Sequence, residues 1–142
     1  MTSPAALPVI DPLRTALLAM DLQGGILPLV PDPDTQVDAR IAPEDGDIVV
    51  RKVRIGAAST TDLYERLRER GIDTLILSGI STSGVVLSTL TDAADRDYRV
   101  IVLSDGVADR DQEVHRVLLE KVFPMRSYVI DIAELRELLG AA

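Results

Sequence analysis

Asp21, Lys52 and the run Ser81-Thr82-Ser83 are the residues of this chain whose types and neighbours suit chemistry. Asp21 follows an apolar run, Thr15–Met20 (TALLAM), and Lys52 ends a second run, Asp47–Lys52 (DIVVRK). If these are neighbouring strands, a carboxylate and an ammonium project into one crevice. Ser81–Ser83 lie in the turn Gly79–Gly84 (GISTSG), between a third apolar run and an amphipathic stretch. Free amides at such a helix start, aided by the helix dipole, can cradle an anion. An acid/base, a cation and an oxyanion-type cradle then share one pocket. Each residue also has an ordinary reading. Asp21 can hydrogen-bond loop amides, Lys52 can be a solvated strand-end lysine, and serine and threonine are common helix caps. His115 reads as an exposed helical residue, and Asp109 and Asp111 as acids that favour the start of their helix.

Other chemistries fail on inspection. There is no cysteine, which removes disulfides, thiolate metal sites and thiol nucleophiles together. A single histidine does not supply a multi-histidine zinc site or a serine–histidine triad. No metal and no cofactor is demanded by any ligand set or phosphate-binding glycine motif. GISTSG approaches the nucleophile elbow G-x-S-x-G but has Ser83 where the last glycine belongs. Asp21-Leu22-Gln23 lacks the second aspartate of phosphoryl-transfer aspartates, and Asp21 lacks the acidic companions of a receiver domain. The net charge of −8 opposes nucleic-acid binding. No apolar run reaches the roughly 20 residues of a membrane span, and Met1–Leu7 lacks a basic signal head. The expectation is a soluble cytoplasmic protein without membrane or nucleic-acid partners.

These residues need a scaffold, and the hydrophobic pattern supplies one. At 142 residues and 46% apolar content, the chain suits one domain spanning 1–142. Seven of the eight prolines precede residue 44, so the first third is mostly not helical. Thr15–Met20 reads as a buried strand, Leu22–Gly46 as a long loop and Asp47–Lys52 as a second, β-branched strand. A helix runs from Thr60 or Thr61 to about Arg70, stopped by Gly71. Strands follow at Thr74–Ser78, Arg99–Leu103 and Tyr128–Ile130. Helices are expected over about Ser83–Arg96, Asp111–Phe123 and Ile132–Leu139. Such alternation implies right-handed crossovers and a parallel sheet with helices on both faces, ligands sitting at the carboxyl ends of its strands where the strand order reverses.

Three blocks carry a resemblance. ALLAMDLQ (Ala16–Gln23), DIVVRK with the following Thr61-Asp62-Leu63, and RGIDTLILSGISTSGVVLSTLTDAADRDYRVIVLSDGVAD (Arg70–Asp109) together resemble the isochorismatase-like, or cysteine hydrolase, superfamily. The third block is the most specific. The resemblance implies a three-layer α/β/α fold and hydrolysis of amides or related C–N bonds by an aspartate, a lysine and a cysteine. Asp21 matches the aspartate and Lys52 the lysine. The cysteine's position is Val85, which has no nucleophile. The resemblance also implies a cis peptide at Ile80–Ser81 and a substrate site at Gln23, Ser81, Thr82, Ser83 and Gly84.

One branch of the superfamily lacks the cysteine, protonates a vinyl ether with the aspartate and completes hydrolysis with water. A second departure is larger. Pro31–Asp34 runs almost directly into Asp38–Asp47 (DARIAPEDGD), so one strand–helix unit, on the order of 30 residues, is missing. A sheet of about five strands is expected, with apolar surface left near one edge. That surface implies a homodimer or larger assembly. Two functions follow: a hydrolase of a small-molecule amide or vinyl ether, with Asp21 as general acid/base and water as nucleophile, or a non-catalytic ligand-binding or assembly module on the same fold.

Overall fold

The computed structural model describes residues 6–22 and 44–140. Their elements are β1 (Thr15–Met20), α1 (Leu63–Glu69), β2 (Thr74–Ile80), α2 (Leu87–Asp95), β3 (Arg99–Ala108), α3 (Gln112–Val117), β4 (Tyr128–Ile130) and α4 (Ile132–Leu138). The four strands form one parallel sheet in the order β1-β2-β3-β4. Parallel neighbours require crossovers, and each helix between strands provides one. The expected α/β architecture is present. The strand order does not reverse among the described residues, so the site occupies the carboxyl ends of the strands without a switch point.

Leu18, Met20, Leu75, Leu77, Val100 and Val102 meet α1 through Leu63, Tyr64 and Leu67 and α2 through Leu90 and Ala93. The alternate residues Ile76, Ile101, Leu103 and Ile130 face the other way, against Ile10 and Leu135 of α4. Helices therefore cover both faces. Every residue of β2 is buried, as a central parallel strand requires. Each such Leu or Ile contributes about 1.5–3 kcal/mol through burial. The second face is thinner: Leu17, in register with Ile76, remains 55% exposed.

Asp47–Lys52 differs from expectation. It makes no sheet ladder among the described residues, which leaves four strands rather than about five. Ile48 and Val50 pack on the main core while Val49 is exposed, so the alternation of the sequence is real. Side chains hold this segment instead of a ladder: Arg66 of α1 donates to the Val49 carbonyl at 3.3 Å and Arg70 to that of Gly46 at 3.0 Å. β-Branched content reports fit to a half-buried surface, and a helix can supply that surface as well as a strand.

The helices are also more broken than their patterns suggest. The stretch expected from Ser83 begins as a wide π turn, Thr82–Val86, before α2. That expected over Asp111–Phe123 passes from α3 into a π turn at Leu118–Val122 and a 3₁₀ turn at Phe123–Met125, where Pro124 removes an amide donor. The expected loop from Leu22 to Gly46, its proposed shortening and Gln23 lie largely or wholly outside the described residues.

Candidate active site

The site is built where β1, β2 and β3 end. β1 pairs with β2 up to Met20 and Gly79, and Asp21 is the next residue. Its backbone turns sharply there, with φ 56°. Gly79 makes the turn possible from the other side. It has φ 131°, and a Cβ on it would run into the Met20 carbonyl. The two strand ends thus approach more closely than any side chain at residue 79 would allow. The peptide Ile80–Ser81 is cis, as the resemblance implied.

Lys52 Nζ lies 2.8 Å from Asp21 Oδ2, with both side chains about one-fifth exposed. The same ammonium donates to the carbonyls of Arg54 at 2.9 Å and Ile55 at 3.1 Å. Its three N–H donors are therefore all engaged. Lys52 holds Asp21 and the 52–55 turn together, and a ligand would have to displace one of these bonds to reach it. The pair expected from distant strand ends is formed, although Lys52 arrives on an irregular segment.

Asp21 and Lys52 line a cavity of about 590 Å³ together with Arg54, Ile80, Ser81, Ser83, Gly84, Val85, Asp109 and Arg110. Six of the sequence-derived positions thus meet there: Asp21, Lys52, Ser81, Ser83, Gly84 and Val85. Val85 is only 2% exposed and presents methyl groups. Thr82 is fully buried and turns away, its Oγ1 2.8 Å from His115 Nδ1.

The expected anion cradle is largely engaged by the protein. Asp109 Oδ2 accepts from the Ser83 amide at 2.8 Å and from the Ser83 hydroxyl at 2.6 Å. The amides of Gly84 and Val86 both donate to the Ser81 carbonyl at 3.2 Å. Three amides of the turn are thus satisfied internally, and a protein carboxylate already occupies the start of the α2 stretch.

Asp109 is the residue that sequence reasoning misplaced. It does not cap its own helix; Asp111 does, accepting from the amides of Glu113 and Val114. Asp109 is 3% exposed and joins the end of β3 to the turn after β2. Burial pushes its carboxyl up, but the Ser83 hydroxyl, the amides of Ser83 and Asp111, and the His115 charge outweigh this and hold it below the ordinary carboxylate value. The sequence pattern did not point to it, because the expected strand ends at Leu103, whereas β3 runs on to Ala108 and stops directly before Asp109. His115, expected at the surface, is half-buried against Thr82. Burial lowers its pKa, opposed by the negative charge of Asp109.

A parallel α/β sheet with an acid–lysine pair in a cavity at its carboxyl edge defines a class of small-molecule site, in which the strand ends position the reacting groups. The isochorismatase domain profile matches residues 27–134, and the chain belongs to that family. Lys52 and Val85 fall within the matched segment and Asp21 just before it. The chain is 40% identical over 105 residues to a ureidoacrylate amidohydrolase of Methylobacterium radiotolerans, covering 73% of this chain and 40% of that protein. It is 35% identical over 79 residues to a maleamate amidohydrolase of Pseudomonas putida, covering 56% and 37% respectively. The chain thus matches well under half the length of these two relatives. An isochorismatase family protein of Burkholderia thailandensis superposes with a TM-score of 0.80 at 25% identity, over 96% of this chain and all of that one. No helix among the described residues is long and apolar enough to cross a membrane.

Proposed function

We propose that this protein hydrolyses a small-molecule amide or vinyl ether, with Asp21 as general acid/base, Lys52 as its electrostatic and positional partner, and water supplying the oxygen that enters the product. The observation that carries this reading is the 2.8 Å Asp21–Lys52 pair opening into the cavity beside Ser81 and Val85. A carboxylate fixed by a lysine keeps a defined direction toward a bound substrate, which general acid–base chemistry needs before any question of pKa. The matched relatives whose names state amide hydrolysis support the reaction class. Arg54 and Arg110 also line the cavity, so a substrate bearing a carboxylate fits its charge. The test is turnover of a panel of carboxylate-bearing amides, maleamate among them, and vinyl ethers. Turnover by the native chain and its loss in Asp21→Asn is expected; an unchanged rate in that variant removes the mechanism.

A second reading is favoured by one observation, the buried Val85 in place of the family thiol. On this reading the fold binds a small anionic ligand without converting it. Saturable binding of maleamate with no turnover across the whole panel selects it. Under either reading we propose a single cytoplasmic domain that works as a homo-oligomer and does not bind nucleic acid. Leu13 and Leu17, 86% and 55% exposed, support the assembly. A monomer by sedimentation at micromolar concentration rejects it.

A further inference from the structure

We propose that Ser81 is the acyl-accepting nucleophile of this site. The inference rests on the amide-hydrolase reading and replaces direct attack by water with a two-step route for acyl substrates. It starts from the hydroxyl groups of the Ser81–Ser83 run. Thr82 Oγ1 is engaged with His115, and Ser83 Oγ donates to Asp109. Ser83, the serine nearest in sequence to the missing thiol, is thereby removed as a candidate. Its proton is directed to a buried carboxylate that is itself held by two backbone amides. Ser81 Oγ makes no hydrogen bond among the described residues, and Ser81 lines the cavity.

A Cβ at residue 84 would stand 2.6 Å from Ser81 Oγ, so this hydroxyl leans over the glycine directly preceding Val85. The absence of a side chain at 84 leaves room for the hydroxyl beside the residue that lacks a thiol. The base candidate is Asp21, which lines the same cavity at the end of the neighbouring strand. Among the described residues no hydrogen bond joins its carboxylate to Ser81 Oγ, and catalytic hydrogen bonds of this kind tighten in the substrate complex. A nucleophile, an acid/base and the group that orients that base are then contributed by consecutive strand ends and the 52–55 turn.

The chemistry balances with water as the only co-reactant. An Oγ lone pair of Ser81 attacks the acyl carbon while the Asp21 carboxylate takes the Ser81 proton. The tetrahedral intermediate collapses, the C–N bond breaks, and the leaving nitrogen takes that proton from Asp21. Water then attacks the ester carbon and gives a proton to Asp21. The C–Oγ bond breaks, and Ser81 recovers its proton.

An activated ester reports this step without knowledge of the natural substrate. The full chain is treated with p-nitrophenyl acetate, quenched in acid, and analysed by intact mass and peptide mapping. The expected result is one acetyl group on the peptide containing Ser81, absent in Ser81→Ala and formed about tenfold or more slowly in Asp21→Asn. Ser81→Cys keeps a nucleophile at the same place and is expected to acetylate at residue 81, which separates loss of chemistry from loss of fold. Acetylation confined to lysines or other hydroxyls, or none at all, overturns the proposal. Amide turnover that persists in Ser81→Ala also overturns it and leaves direct water attack standing. An adduct on Ser81 with no amide turned over upholds the nucleophile and rejects the amide-hydrolase reading.

Discussion

Two aspartates sit at the ends of two strands of one sheet, and they do opposite things. Asp21 follows β1, is about one-fifth exposed, and pairs with an ammonium across the mouth of a cavity. Asp109 follows β3, is 3% exposed, and meets no ammonium; it accepts three hydrogen bonds from Ser83 and Asp111. A carboxylate whose lone pairs are filled by fixed neighbouring donors is part of the scaffold. One paired, among the described residues, with one cation at the edge of a cavity keeps acceptor capacity for a substrate. The difference shows that the position of an acid at a strand end does not assign its role. What separates the two is which donors the neighbouring turns bring.

This contrast can be attacked from both sides. In Asp21→Asn, turnover should fall by about 10²–10⁴-fold, which kinetics on any accepted substrate checks, while the thermal midpoint moves little. Asp109→Ala should do the reverse. It strands the Ser83 amide and hydroxyl and the Asp111 amide, and unfolding in urea should show a loss of about 3 kcal/mol. If Asp109→Ala instead leaves stability intact and removes turnover, the assignment of the two acids is inverted.

A smaller effect is expected in the acid limb of stability. Asp109 is held below its ordinary value of 3.8 in the folded chain. Its contribution is therefore complete above that unfolded value and is lost as pH falls through the lower folded one. Denaturant melts between about pH 5 and pH 2 should flatten in Asp109→Asn. His115 gives the smallest signal. Its folded pKa lies below 6.5, so the neutral ring is favoured by folding. The stability it confers is full above 6.5 and declines as pH falls from there toward the folded value. His115→Gln should remove that portion of the pH dependence, and an unchanged slope would show that burial of the ring carries no linkage.

The elements were legible wherever one local pattern dominated. The runs Thr15–Met20, Thr74–Ser78 and Tyr128–Ile130 lie in strands because short apolar segments fit a sheet covered by other elements, although β2 runs on to Ile80 through residues expected to turn. Asp47–Lys52 had the same local signal and became something else, because its partners are the Arg66 and Arg70 guanidiniums and the core rather than a strand. The pairing of Asp21 with Lys52 was foreseen, since both mark the ends of apolar runs. The engagement of Ser83 by Asp109 was not foreseen, because 26 residues separate them and only the β2–β3 register brings them together.

Residue types alone set the boundaries of the chemistry: no thiol and one imidazole. Those boundaries hold in any fold, since composition limits which atoms are present. Which acid lines the cavity, which hydroxyl of Ser81–Ser83 lacks a partner among the described residues and which amides are already satisfied were decided by packing. The Asp21–Lys52 and Ser83–Asp109 contacts join residues far apart in the chain, and the free energy of a polar group depends on the partners within about 3 Å of it.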